Sequence, residues 1–374
     1  MLKADTYHPG DLAASDQDAW RALQAAHADF ANPILGPDFA RAVGEVREDA
    51  RVSVFRRGGR AVGFLAYHLR PSGFIRAIGA PFSDYHALVA EPGLSAADAL
   101  SAAGLTAFRF TGLLDPHGAF EPSAQVEAFA ITLEGSAEAY LEALRAASPK
   151  RFKNYRRLDH KLDREVGTLR VVAPDQDAAA FAQLIAWKRE QFTRTGVHDV
   201  LGADWTCRLM HNLFETRDGP MQGLMITLHA GDRLVAGHFG VRTGAYFHPW
   251  IASADPELAA WSPGQIFLSR AIAAMPGLGL STYDLGASHE HYKRPYVLRT
   301  RRIGEGLATA ATAQGRVAQL SEQAWILAGG AGAGPVARLR RRLDAIASAE
   351  LSLAGRARGL ATAIVARAGA LEAA

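Results

Sequence analysis

Leu224-Met225-Ile226-Thr227-Leu228-His229-Ala230-Gly231-Asp232-Arg233-Leu234-Val235-Ala236-Gly237-His238-Phe239-Gly240-Val241 reads as a β-hairpin. Leu224–His229 and Leu234–Val241 are apolar strands, and Gly231-Asp232 suits the two-residue turn between them. Ala245–Ile251 adds a third strand. Ser262-Pro263-Gly264-Gln265 follows, with Ser262 suited to an N-cap, Pro263 to the first helical position and Gln265 to closing a capping box. The helix runs towards Met275 and stops at Pro276-Gly277. Tyr283-Asp284-Leu285-Gly286 is a short strand, and the polar cluster Ala287-Ser288-His289-Glu290-His291-Tyr292-Lys293-Arg294 comes directly after it. A sheet that brings a helix N-terminus and a strand end to one edge can hold an anion beside reactive side chains.

Working outward, the first half repeats this grammar. Asp18–Asp29 and Asp38–Glu48 have helical periodicity. Arg51–Phe55 and Arg60–Leu69 flank Gly58-Gly59 as a second hairpin, and Phe74–Gly79, Tyr85–Val89 and Ala107–Gly112 read as strands around a helix at Ser95–Gly104. Val54–Gly63 echoes Thr227–Gly237, each a strand, a Gly-led turn, an arginine and a strand. The echo suggests two similar α/β halves, and 374 residues are enough for two domains.

Gly237-His238-Phe239, the Ser262-Pro263-Gly264 helix start and Tyr283-Asp284-Leu285-Gly286 followed by Tyr292-Lys293 resemble the catalytic domain of FemAB-like acetyltransferases. More narrowly they resemble the cellulose-biosynthesis-type members of the GNAT superfamily. The resemblance implies an α/β protein of tandem GNAT-like domains, each a mixed, mostly antiparallel sheet flanked by helices, with a helical C-terminal extension. The expected boundaries are 1–140 for a degenerate first domain, 141–311 for the catalytic domain and 312–374 for a basic tail. It also implies an N-acyltransferase with acetyl-CoA or another acyl-CoA as donor. The acceptor is expected to be an amino group of a sugar or of a cell-envelope or exopolysaccharide precursor. FemX-like transfer from aminoacyl-tRNA in peptidoglycan synthesis is the alternative within the same fold.

Acyl transfer to an amine needs a neutral amine, an oxyanion donor, a proton for the leaving thiolate and N–H groups for the cofactor's pyrophosphate. Ser262, Gly264 and Gln265 are the candidate cofactor-binding residues, with the Gly264 and Gln265 N–H groups offered to phosphate. Asp284 stands in an otherwise apolar strand. It is a general base, an orienter of Lys293 or His289, or a structural acid. Tyr292 can protonate the thiolate, and Lys293 can hold a phosphate or carboxylate. His289 and His238 are candidate bases near neutral pH. Asp84 and Tyr85, in a Ser-Asp-Tyr turn that matches the family, and Trp187 and Lys188 are placed at the acceptor.

Composition narrows the rest. Half the chain is apolar and the net charge is only +3, so the body does not read as a DNA-binding protein. Cys207 is the single cysteine, which excludes an internal disulfide and suits a reducing compartment. No Cys/His pattern points to a metal, and no apolar run is long enough for a membrane span. The expected location is cytoplasmic, with peripheral contact at the inner membrane face allowed by the tail. From Thr312 onward eight arginines face four acids. Arg338, Arg341 and Arg342 surround an apolar stripe there, and such a helix docks on the body, lies on an anionic membrane, or binds an anionic regulator such as a cyclic dinucleotide. In that last case the protein is a regulatory binding protein. A dense run of lysine and arginine over Lys150–Arg164 is either a solvated helix face or a guide for anionic substrate.

Overall fold

The computed structural model describes residues 2–287, 290–330, 332 and 334–361. The chain forms two compact units, and neither is one continuous segment. Unit 1 comprises the chain up to Val126, Phe192–Leu209 and the residues from Ile303 onward; unit 2 comprises Glu127–Gln191 and Met210–Arg302.

Unit 1 holds β1 (Leu2–Tyr7), α1 (Ala14–Ala25), α2 (Pro37–Gly44), β2 (Ala50–Arg57), β3 (Arg60–Leu69), β4 (Phe74–Ala77), β5 (Val89–Ala90), α3 (Ala96–Ala102) and β6 (Ala107–Leu113). The chain then runs through β7 (Ala124–Thr132), α4 (Ala137–Ala147), α5 (Pro149–Glu165), β8 (Leu169–Val172), α6 (Ala178–Arg194) and α7 (Asp204–Glu215). It continues with β9 (Met221–Ala230), β10 (Arg233–Thr243), β11 (Tyr246–Ala254), α8 (Pro263–Ala274), β12 (Thr282–Ala287) and the short α9 (Glu290–Lys293). Last come β13 (Thr300–Thr309), α10 (Ala313–Leu327) and α11 (Pro335–Ala349).

The two units repeat one topology. In unit 1, β1–β2, β2–β3 and β3–β4 are antiparallel, β4–β6 is parallel and β6–β13 is antiparallel. In unit 2, β8–β9, β9–β10 and β10–β11 are antiparallel, β11–β12 is parallel and β12–β7 is antiparallel. The hairpin echo is thus the β2–β3 and β9–β10 pair of equivalent hairpins.

The repeat is interleaved along the chain. β7 follows β6 but pairs with β12, while β13, from the far end, completes the sheet beside β6. Each of these closing strands leads into a side-chain-capped helix and then a proline-started basic helix. Ser136 Oγ and Thr312 Oγ1 accept from Ala139 and Gly315 N–H, both at 3.1 Å, and Pro149 and Pro335 open α5 and α11. α10–α11 thus hold the chain position after β13 that α4–α5 hold after β7. The division differs from the consecutive segments 1–140, 141–311 and 312–374: the C-terminal helices belong to unit 1.

Unit 2 is held by an apolar core in which Phe129, Ile131, Leu144, Leu162, Ile226, Phe247, Phe267 and Tyr283 are buried. Strand alternation sends His238 and Phe239 to opposite faces. His238 packs on Phe267 of α8 at 4.6 Å between ring centroids, and Phe239 on Phe181 of α6 at 4.9 Å.

Candidate active site

The parallel pair β11–β12 is joined at only two positions, Tyr246↔Thr282 and Phe247↔Tyr283. From His248 onward β11 pairs with β10 as far as Ala254, so an opening begins between β11 and β12. The β10–β11 register shifts between Phe239 and Gly240, where Trp250 is the extra residue. Gly240 permits this bulge, because a Cβ there would lie 2.0 Å from His248 O.

His238 sits beside this opening, 2 % exposed. Its Nδ1 is 2.8 Å from Tyr283 Oη and its Nε2 3.2 Å from Tyr292 Oη. Tyr292 O–H donates to Gly264 O at 3.2 Å. That donation fixes the tautomer: the Tyr292 oxygen accepts from Nε2–H, and Nδ1 accepts from the Tyr283 hydroxyl. The result is a one-way chain, Tyr283 to His238 to Tyr292 to Gly264 O. Burial, with Lys188 and Lys293 nearby, pushes the His238 pKa down to about 3, so the ring is neutral at physiological pH. Burial also pushes both tyrosines up, so they keep their protons.

Two ammonium groups stand where the strands part. Lys188 Nζ donates to Ala252 O on β11 at 3.4 Å and to Gln191 at 3.2 Å. Lys293 Nζ donates to Ala287 O at the end of β12 at 2.6 Å. Lys188, Lys293, His238 and Tyr292 are thereby brought to one place in unit 2. Tyr283 joins them, although its role had not been separated from that of the strand motif.

The start of α8 departs from the expected capping box. Ser262 is left-handed, at φ 54°, and its side chain makes no cap; instead its carbonyl accepts from Gln265 N–H at 3.0 Å. The Gln265 N–H is therefore not free for phosphate. The Gln265 side chain donates to Tyr292 O at 3.4 Å rather than reaching back to the cap. Gly264 is small for Tyr292, whose ring carbon would lie 3.0 Å from a Cβ there. Gln265 Oε1, Trp261 Nε1 and, on β11, Ser253 Oγ are buried with no hydrogen-bond partner among the described residues. Such groups fit a polar ligand whose amides and oxygens supply the missing partners.

Asp284 is fully buried and engaged. Arg301 and the Tyr246 hydroxyl bond to Oδ2, Gly286 N–H donates to Oδ1 at 2.9 Å, and His248 Nδ1 is 3.9 Å away. Burial alone would raise its pKa; Arg301, His248, Tyr246 and the Gly286 N–H outweigh that and hold it below the usual carboxylate range. An acid held ionised in this way anchors β12 and is a poor proton acceptor, which favours the structural alternative over the general base.

Residues 149–294 match the acetyltransferase (GNAT) domain family model. This segment carries a GNAT-type acetyltransferase domain. The match spans α5 to α9 and contains every residue of the His238 chain. A solved structure of FemX is similar over 85 % of this chain and 100 % of its own, with TM-score 0.52 and 12 % identity. A tandem GNAT protein from the clavulanic acid biosynthesis pathway, solved without AcCoA, is similar over 84 % and 100 %, with TM-score 0.46 and 12 % identity. No curated protein sequence matches.

The GNAT opening of unit 2 has a closed counterpart in unit 1. β4 and β6 pair in parallel from Phe74↔Ala107 to Arg76↔Arg109. Beyond that point the 83–88 segment fills the gap: His86 N–H donates to Gly112 O at 2.9 Å and Leu114 N–H to His86 O at 2.8 Å. A Cβ on Gly112 would lie 1.9 Å from Asp84 O. Tyr85 is 1 % exposed and belongs to the unit 1 core, so it offers no surface to an acceptor. Asp84 is half-buried in the plugging segment. Trp187 is half-buried on α6. His289 lies outside the described residues.

The tail is docked rather than free. Trp205 Nε1, Arg70 and Arg47 donate to Ala349, Ala347 and Ser348 carbonyls at 2.8, 3.0 and 3.3 Å, satisfying the C-terminus of α11. Arg340, 6 % exposed, pairs with Glu322 of α10. Of the arginines singled out, Arg338 and Arg341 are exposed and Arg342 is half-buried; the buried one is Arg340. Among the described residues no helix is long and apolar enough to cross a membrane, and no cluster of three or more His, Cys, Asp or Glu could hold a metal.

Proposed function

We propose that this acyltransferase moves an acyl group from acyl-CoA, with acetyl-CoA as the simplest donor, to an amino group of a sugar or envelope-polysaccharide precursor. The observation that carries the reading is the protonated Tyr292 hydroxyl, held by His238 and Gly264 O beside the opening between β11 and β12. The donor supplies the activated thioester and leaves as a thiolate. Tyr292 turns its proton from Gly264 O to the leaving sulfur while its oxygen takes up the proton lost by the attacking amine, and Nε2–H of His238 steadies that oxygen through the exchange. Lys188 and Lys293 set a positive field where negative charge develops. The outer edge of β11 can pair with an extended amide chain, as a strand edge does. The buried Ser253, Trp261 and Gln265 groups provide further polar partners. The acceptor class follows from the family resemblance, and a CoA donor goes with a cytoplasmic reaction.

A second reading, with aminoacyl-tRNA as donor, draws on α5, where Lys150, Lys153, Arg156 and Arg157 are exposed on one basic helix. The two separate by calorimetry on the full chain. Saturable acetyl-CoA binding that changes little with salt supports the first. No acetyl-CoA binding, with charged tRNA binding that falls steeply as salt rises, supports the second.

A further inference from the structure

The helix pairs α4–α5 and α10–α11 follow equivalent strands but pack differently: α4–α5 lie on α8, and α10–α11 lie against the β6 residue Arg109. In unit 2 the pair contributes Tyr140, Leu141, Leu144, Phe152, Leu158 and Leu162 to a filled apolar core. In unit 1 the pair closes a cavity of about 350 Å³ against β4, β6 and β13. Arg70, Arg76, Arg109 and Arg340 line it, with Glu322 and Asp344 as its carboxylates. The hollow is an open cleft beside the filled unit 1 core of Leu65, Tyr67, Ile75, Phe108 and Phe110, and its charged lining sets it apart from that core. Its volume lies in the range of small-molecule sites.

The carboxylates tie the cations into a ring. Arg76 pairs with Asp344 at 2.9 Å, Arg109 with Glu322 at 2.8 Å and Asp344 at 3.3 Å, and Arg340 with Glu322. Arg70 pairs at 3.4 Å with Asp49, which also binds Arg47, so five guanidinium groups share three carboxylates and the surroundings carry an excess of two positive charges. Arg109 Nε is buried, and its 3.3 Å contact with Asp344 lies outside hydrogen-bond geometry. Burial, against the pull of Asp49 and with Arg47, Arg76 and Arg356 nearby, pushes the Arg70 pKa down to about 10. Trp325 lines the same cavity, its ring 5.4 Å from the Arg340 guanidinium, and Phe74 at the rim is 37 % exposed.

We infer that this unit 1 cavity is a second ligand site, for a compact organic monophosphate bearing an aromatic or apolar group. A phosphate dianion cancels the excess charge, and guanidinium forks held in place by carboxylates match its oxygens. The aromatic part stacks between Trp325 and Phe74. The site is distinct from the acyl-transfer site in unit 2.

The test is calorimetry of the full chain with phenyl phosphate, inorganic phosphate and benzoate, on wild type, Ser321→Glu and Arg109→Gln. Ser321 lines the cavity and is exposed, so glutamate there adds charge without removing an ion pair. The expected result is saturable phenyl phosphate binding, tighter than that of either fragment and weakened at least about tenfold in both variants. Acetyl-CoA binding by Ser321→Glu stays at the wild-type level. Should Arg109→Gln fail to fold, Ser321→Glu alone decides. Absence of saturable binding at millimolar phenyl phosphate, or equal affinity in wild type and Ser321→Glu, overturns the inference.

Discussion

Tyr292 Oη stands 3.2 Å from His238 Nε2 and donates across another 3.2 Å to Gly264 O, and together these contacts set the direction of every proton from Tyr283 onward. His238, held near pKa 3, is too weak a base to take a proton from an ammonium acceptor at neutral pH. Asp284 is already paired with Arg301. The acceptor must then arrive as the free amine. The expected outcome is a kcat/KM that rises about tenfold per pH unit until the acceptor's own amine pKa, and that shifts with that pKa across an acceptor series. A plateau fixed near pH 6–7 for every acceptor would show a protein base instead.

Gly264 is expected to tolerate no side chain without moving Tyr292. Gly264→Ala places a methyl 3.0 Å from the tyrosine ring and 3.4 Å from its hydroxyl. Activity should fall by about tenfold or more, while folding survives because alanine suits the first turn of a helix. Kinetics and a melting curve on the same preparation check this.

Asp284→Asn should act on stability first. It leaves Arg301 and the Tyr246 hydroxyl facing a neutral amide in a fully buried place, a loss of roughly 3–5 kcal/mol. Urea unfolding measures it. A variant as stable as wild type but inactive would restore the general-base role.

Acid should destabilise the fold in two steps. Burial holds His68 and His86 near 4 and His238 near 3, below the unfolded value of about 6.5. As pH falls below about 6.5 the unfolded chain takes up protons that the folded chain refuses, so stability is full above that pH and declines below it. Asp49 and Asp284, whose folded values are depressed, add a second loss as pH falls below about 4. Urea midpoints should be level from pH 7 to 8 and fall steadily from pH 6.5 to 4.5; a level midpoint down to pH 5 would contradict the buried neutral histidines.

Removing residues 335–374 should cost unit 1 its fold. The truncation strips Arg47, Arg70 and Trp205 of the α11 carbonyls and Arg76 of Asp344. Loss of cooperative melting is expected, whereas Arg341→Gln, at an exposed site, should stay within about 0.5 kcal/mol of wild type. A stable truncated chain would return the tail to a free appendage.

Local patterns carried much of this. The β9–β10 hairpin, its echo and the proline starts of α5, α8 and α11 follow from residues adjacent in sequence. β1 was not legible, because Lys3 and Asp5 alternate on a polar edge strand. The exchange of β7 and β13 is a long-range pairing that no local spacing encodes. Ser262-Pro263-Gly264-Gln265 has a capping-box pattern, but the left-handed Ser262 and the Tyr292 backbone claim its groups. Tyr283 carried a usable signal: alternation in β12 sets it opposite Asp284. The partners Tyr246 and Arg301 of Asp284 come from separate strands and left no such mark.

In the proposed mechanism Tyr292 protonates the leaving thiolate. The direct measurement is thiol release from acetyl-CoA by wild type and Tyr292→Phe, with an amino-sugar acceptor, alongside calorimetric affinity for acetyl-CoA. Phenylalanine keeps the ring against Gly264 and removes only the hydroxyl. The account predicts a kcat lower by roughly a hundredfold or more, with acetyl-CoA affinity close to wild type. An unchanged kcat in a folded Tyr292→Phe enzyme would contradict it.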